Sequence, residues 1–302
     1  MQVTANGLRL EVEDSGGAGE PVLLLMGLGG QLIHWPPQIT APLAAAGYRV
    51  IRIDNRDAGL SQYLPELGRP NLAWHGLRLA LGGRPKPPYT LADMAQDTIG
   101  VLDALGVARA HVVGMSMGGM IAQRMAIGWP ERVGSLVSIM SSSGARGLPG
   151  LQPQVLKVLL AKPRSRDREA VIRYYLDFFR VVGSPTHPVP EADLRPFIEA
   201  TIDRAYHPVG NLRQLAAVMA DTGRAAELAR ISAPTLVLHG RDDPFVPLAC
   251  GQDTARRIRG ARFEAIDHMA HLLEPAVCDR LQPRLLSFLR EHPLHALPVA
   301  KA

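Results

Sequence analysis

Ala110-His111-Val112-Val113-Gly114-Met115-Ser116-Met117-Gly118-Gly119-Met120 is the stretch whose reading decides the fold. His111 to Gly114 reads as a short buried strand, and Met117 to Ile127 reads as a helix. Between them lies Gly-x-Ser-x-Gly, which is informative because a strand runs into it and a helix leaves it. A chain that turns this sharply brings backbone against backbone. Side chains at Gly114 and Gly118 would collide there, so glycine is required. The turn lifts the Ser116 hydroxyl clear of the sheet and sets it at a helix N-terminus. Backbone N–H groups and the helix dipole favour developing negative charge at that place.

Strand and helix signals alternate outward from this turn. Gln2 to Ala5 and Leu8 to Glu13 flank Asn6-Gly7, a two-residue hairpin signal. Val22 to Met26, Tyr48 to Ile53, Val133 to Met140, Thr235 to Leu238 and Arg262 to Ile266 read as further strands. Helices are expected over Pro37 to Ala46, closed by Gly47, and from Thr90 to about Leu105, where Thr90 and Asp93 approach a capping box and Gly106 stops the run. His271 to Leu289 is expected to be mostly helical. This alternation predicts an α/β chain with a mostly parallel central sheet flanked by helices. The rhythm breaks between about Gly144 and Gly223. That stretch holds helical segments such as Glu169 to Val181 and Asp193 to Asp203, and no strong strand run. It is expected to be a helical cap over a core made of residues 1–143 and 224–292, with 293–302 a frayed tail.

Composition narrows the function classes. The 302 residues are 47% hydrophobic and 20% charged, values of an ordinary globular enzyme. The net charge of +5 comes mainly from scattered arginines. The denser groups Arg164, Arg166, Arg168 and Arg256, Arg257, Arg259 read as solvated helix faces, so no nucleic-acid partner is expected. Two cysteines, Cys250 and Cys278, make neither a disulfide framework nor a metal set. The Met1 to Gly7 segment has no signal-peptide pattern, and no apolar stretch approaches the ~20 residues of a membrane span. The cytoplasm is the expected compartment. Gly27, Gly29 and Gly30 lack the spacing of a nucleotide loop, and no His/Cys/Asp/Glu cluster has metal spacing, so neither cofactor nor metal is expected.

A serine hydroxyl is a weak nucleophile near neutral pH and needs a base within hydrogen-bond reach and a group to orient that base. Two segments downstream offer them, each following the carboxyl end of a strand. One is His239-Gly240-Arg241-Asp242-Asp243-Pro244-Phe245-Val246-Pro247, and the other is Asp267-His268-Met269-Ala270-His271-Leu272-Leu273-Glu274-Pro275. In an open parallel sheet that edge carries the site. An oxyanion formed at Ser116 needs backbone N–H donors, one of them from Met117, the residue after the nucleophile, and one from the loop Met26-Gly27-Leu28-Gly29-Gly30.

On these segments, together with Asp54-Asn55-Arg56-Asp57-Ala58-Gly59-Leu60-Ser61, the sequence resembles the α/β-hydrolase fold family over nearly its whole length. Within it, the chain resembles bacterial serine esterases of the aclacinomycin methylesterase type. The resemblance implies a catalytic triad of Ser116, Asp243 and His271. Asp243 falls three residues after Gly240 with Pro247 in register, and His271 precedes the apolar pair Leu272-Leu273 and then Glu274 and Pro275. His268 and Asp242 stand beside these residues as the rival base and acid. Leu28 is the implied second oxyanion donor, and Met26 replaces the histidine the family usually carries there. His34 and Trp35 are candidate pocket residues. Asp54 to Asp57 is expected to brace the site through Arg–carboxylate pairs.

The expected activity is hydrolysis of a small-molecule carboxylic ester, with short to medium acyl chains or a methyl ester, through an acyl-enzyme. Perhydrolysis and carbon–carbon bond hydrolysis use the same triad and stand as alternatives. A non-catalytic ligand-binding member of the fold is the alternative from another class.

Overall fold

The computed structural model describes residues 1–294. β1 (Gln2–Ala5) and β2 (Leu8–Asp14) form an antiparallel hairpin. Its turn residues Asn6 and Gly7 both have positive φ, 50° and 75°, which matches the twist of the flanking strands. β3 (Pro21–Leu25), β4 (Arg49–Ile53), β5 (Ala110–Met115), β6 (Val133–Ile139), β7 (Thr235–Gly240) and β8 (Arg262–Ile266) complete an eight-stranded sheet in the order β1-β2-β4-β3-β5-β6-β7-β8. β2 pairs antiparallel with β4, and every later neighbour pair is parallel. Register sets Leu25 opposite Gly114, Gly114 opposite Ser138, Ile139 opposite Leu238 and Gly240 opposite Ile266. The carboxyl ends of five strands therefore lie along one edge.

The helices are α1 (Pro37–Ala45), α2 (Leu72–Ala80), α3 (Leu91–Ala104), α4 (Met117–Gly128), α5 (Pro153–Leu160), α6 (Arg168–Val182), α7 (Glu191–Arg204), α8 (Pro208–Ala220), α9 (Arg224–Glu227), α10 (Leu248–Arg257) and α11 (Pro275–Glu291). Alternate residues of β3 divide between two cores. Leu23 and Leu25 pack with Leu91, Met94, Ile121 and Met125 of α3 and α4. Val22 and Leu24 pack with Ile39 and Leu43 of α1 and Leu281, Leu285 and Phe288 of α11. The sheet is thus covered on both faces, as strands with continuous apolar runs require.

Local chemistry accounts for most boundaries. Thr90 and Asp93 form a reciprocal capping box at the start of α3, and Gly47, with φ 90°, follows α1. The last helix takes up most of the His271 to Leu289 stretch, as expected, and begins at Pro275. Proline suits the first helical position and disfavours a helical residue before it, so His271 to Glu274 stay in a loop. The sequence reading passed over α2, α5 and α8, which are short or interrupted by glycine and proline.

Residues 144–223 contain α5 to α8 and no strand. Ile172, Leu176, Leu194 and Ile198 form a small separate core between α6 and α7. Surface arginines there meet carboxylates, as Arg168 does with Asp203 at 2.8 Å. Of the stretch 293–302, the Leu294 N–H is tied to Glu20 at 2.7 Å, and residues 295–302 lie outside the described residues. Among the described residues no helix is long and apolar enough to cross a membrane.

Candidate active site

The turn between β5 and α4 is tight because two glycines allow it. A methyl built on Gly118 would fall inside contact distance of the Leu25 and Met26 carbonyls, and one on Gly114 would strike the Gly118 backbone. Ser116 itself takes φ 54° and ψ −120°. A non-glycine residue held there stores on the order of 1–3 kcal/mol and persists only when its surroundings fix it. They do so through the Ser116 N–H, which donates to Ile139 at 2.9 Å, and the Ser116 carbonyl, which accepts from Ser141 Oγ at 2.7 Å and the Gly119 N–H at 3.0 Å.

Three strand ends then converge. His271 Nε2 lies 3.0 Å from Ser116 Oγ, and His271 Nδ1 lies 2.8 Å from Asp243 Oδ2. An ionised carboxylate only accepts, so Nδ1 carries the imidazole proton and Nε2 accepts from the serine hydroxyl. The other carboxylate oxygen, Asp243 Oδ1, accepts from the N–H groups of Phe245 at 2.9 Å and Val246 at 2.7 Å. The His271 N–H donates to the Val182 carbonyl at the end of α6, and the Phe245 ring stacks on the imidazole at 4.7 Å. All three side chains are buried, so their interactions are little screened by water.

The rivals stand outside this line. His268 is half exposed, has φ 59° and faces Asp242 at 3.8 Å. His239 is fully buried, donates through Nε2 to the Val246 carbonyl at 2.7 Å, and lies 3.7 Å from Asp243. Burial pushes the His239 pKa down against the pull of that carboxylate, which favours a neutral ring.

The loop after β3 lies against the serine. A methyl on Gly27 would come within 3.1 Å of Ser116 Cβ. Gly30 N–H closes a turn on the Gly27 carbonyl at 3.0 Å, with Gly29 at φ 66°. Among the described residues, the N–H groups of Leu28 and Met117 donate to no protein acceptor. The loop is braced from both sides. Asn55 donates to the Met26 carbonyl at 3.0 Å, and Gln214 of α8 accepts from the Gly29 N–H at 2.8 Å. Gln31 donates to the carbonyls of Thr201 and Ala205 and accepts from Arg204.

The segment Asp54 to Ser61 supplies the bracing. Arg56 pairs with Asp97, Asp54 with Arg204, and Asp57 with Arg213 in a two-bond fork, both bonds 2.7 Å. Burial raises the Asp57 pKa, but the bonds from Arg213 and from the Leu64 N–H outweigh that and hold it below the ordinary value. At Asp54 burial wins, and the carboxyl is pushed up despite Arg204.

His34 and Trp35 separate. Trp35 is fully buried and packs in the core with Ile39 and Leu43, which supports a packing role over a pocket role. His34 bonds Thr201 at 3.0 Å and lies 4.8 Å from the Phe197 ring, and burial pushes its pKa down to about 4. The sequence reading missed Gln31, Arg204, Arg213, Gln214 and Phe245. Arg213 and Gln214 sit side by side in a helix, where two adjacent polar residues read as a solvated face. Nothing nearby in sequence reveals that both are buried.

A family model described as the alpha/beta hydrolase fold matches residues 20–273. The chain belongs to the alpha/beta hydrolase fold family. It is 30% identical to the rhodomycin D methylesterase of a Streptomyces species, over 90% of this hydrolase and 92% of the relative. It is 31% identical to a 2-hydroxy-6-oxononadienedioate/2-hydroxy-6-oxononatrienedioate hydrolase of Cupriavidus pinatubonensis, over 87% and 84%. A solved meta-cleavage product hydrolase from Pseudomonas fluorescens shares the fold, with a TM-score of 0.74, 20% identity and coverage of 97% and 98%. This hydrolase is accordingly an enzyme-family member with bacterial esterase relatives.

Proposed function

We propose that this hydrolase cleaves a small-molecule carboxylic ester, of short to medium acyl chain or a methyl ester, through an acyl-enzyme. The observation that carries the reading is the buried hydrogen-bonded line from Ser116 Oγ through His271 to Asp243, at 3.0 and 2.8 Å. Ser116 Oγ attacks the ester carbonyl while His271 Nε2 takes its proton. Asp243 holds the tautomer and stabilises the imidazolium. The N–H groups of Leu28 and Met117 receive the oxyanion. His271 returns the proton to the departing alcohol, and water then releases the acid with His271 again as base. Residues 1–143 and 224–292 act as the core, and 144–223 as a cap that selects the substrate. The methylesterase relative supports the ester reading.

The test is hydrolysis of a chain-length series of p-nitrophenyl esters by the native protein and by Ser116→Ala. The variant is expected to lose several orders of magnitude in kcat, on the order of 1,000-fold or more. Near-native turnover by Ser116→Ala would overturn the reading. The dienedioate hydrolase relative favours carbon–carbon bond hydrolysis as a second reading. Turnover of a dienoic keto acid without turnover of any ester would select it.

A further inference from the structure

We propose that Gln214 is a positioning residue for the oxyanion, acting from α8 through the backbone of the Gly27–Gly30 turn. It is fully buried in the middle of a helix that belongs to no part of the sheet. Its side-chain oxygen accepts from the Gly29 N–H at 2.8 Å, and its side-chain nitrogen donates to the Arg56 carbonyl at 2.8 Å. Both ends of the amide are therefore used, and both partners are backbone groups of core loops beside the site. Its place is fixed by its neighbour Arg213, forked onto Asp57.

The Gly29 peptide is the next one along from Leu28, inside a four-residue turn closed by Gly30 N–H on the Gly27 carbonyl. Rotation of that turn swings the Leu28 N–H. Gly29 has φ 66°, and a methyl on it would meet the side chain of Asn211, one turn before Gln214, at 2.8 Å. The turn is thus pressed closely against the face of α8 that carries Gln214. At the other end of the loop, Gln31 is bonded to Thr201, Ala205 and Arg204. The donor is assembled only when α7 and α8 are seated.

The inference rests on the proposed acyl transfer, and it has a reading independent of any ester. Phosphonylation of Ser116 by a fluorophosphonate also develops charge on an oxygen held by these donors, whatever substrate the enzyme takes. Gln214→Leu is expected to slow labelling about 10- to 100-fold, less than loss of a direct donor, and to lower kcat for p-nitrophenyl esters in parallel with KM little changed. Gln214→Glu, which retains an acceptor for the Gly29 N–H but sets its second oxygen against the Arg56 carbonyl, is expected to label at a rate between those of Gln214→Leu and the native protein. If Gln214→Leu does not fold, Gln214→Asn, too short to reach both partners, is read in the same way. Native labelling rates in a folded Gln214→Leu or Gln214→Asn, or a loss seen wholly in KM, overturn the proposal. A native protein that labels but hydrolyses no ester overturns the ester reading alone. A native protein that does not label overturns both.

Discussion

Two loops meet at Ser116 and are built in opposite ways. The nucleophile turn, residues 114–119, is made by its own sequence. Its glycines remove the Cβ atoms that would clash, and its hydrogen bonds run to the adjoining strand β6 and to Ser141, two residues beyond it. The oxyanion loop, residues 26–31, is held almost wholly from a distance, by Asn55, Arg204 and Gln214. A turn fixed by excluded volume has no alternative conformation of similar energy. A loop fixed by remote hydrogen bonds is only as well placed as the elements that supply them. On the proposed mechanism, oxyanion stabilisation therefore depends on a helix far along the chain, whereas the placement of Ser116 does not.

Glycine substitutions are the most severe test of that contrast. Gly118→Ala sets a methyl against the Leu25 and Met26 carbonyls, which are backbone and cannot yield. Esterase activity is expected to fall on the order of 100-fold or more, since displacement of reacting groups by about 1 Å costs that much. Gly29→Ala meets only the end of the Asn211 side chain, besides the cost of its positive φ, and is expected to lose much less. Equal losses in a side-by-side assay of the two variants would break the comparison.

The next effect is on stability. Arg213→Ala removes one partner of a buried fork and leaves Asp57 uncompensated. A loss of about 3–5 kcal/mol is expected from the chemical denaturation midpoint. Activity in the surviving folded fraction should also fall, because Gln214 loses its anchor.

The smallest expected effect concerns the His271 loop, which lies between the two extremes. Glu274 stands at the N-cap position of α11, accepts from the Ser184 N–H at 3.0 Å, and has its second carboxylate oxygen without a partner among the described residues. Burial raises its pKa above the ordinary value. A carboxyl raised on folding favours the folded state fully below its unfolded pKa, and that contribution is lost as pH rises through the folded pKa. Glu274→Gln keeps the acceptor without the charge. Its melting temperature should match the native one near pH 4 and exceed it near pH 8. An unchanged difference across that range would show that Glu274 does not titrate in this window.

Most of the sheet was legible because its signals are local: apolar runs of strand length, Asn6-Gly7 at the hairpin, Thr90 and Asp93 at the α3 cap. The His271 to Leu289 stretch was legible as mostly helical, but its first helical residue was less so, because the apolar pair Leu272-Leu273 runs directly into the helix that Pro275 opens. The segments carrying Ser116, Asp243 and His271 were legible for the same local reason, since each follows a strand. Deciding between His271 and His268, or Asp243 and Asp242, by residue type alone was not open. Neighbours one to three residues apart differ in direction, and direction is set by packing.

By itself, the sequence of this hydrolase determined the strand–turn–helix around Ser116 and the alternating frame that brings strand ends to one edge, because glycine sterics and hydrophobic periodicity act over a few residues. Only the tertiary structure decided which histidine faces Ser116, and that Gln214 and Arg213 are buried and Arg204 half-buried on the side of the loop after β3. A polar side chain on a helix is solvated or buried according to what lies across from it. In this protein the facing residues lie about 150 to 185 positions away along the chain.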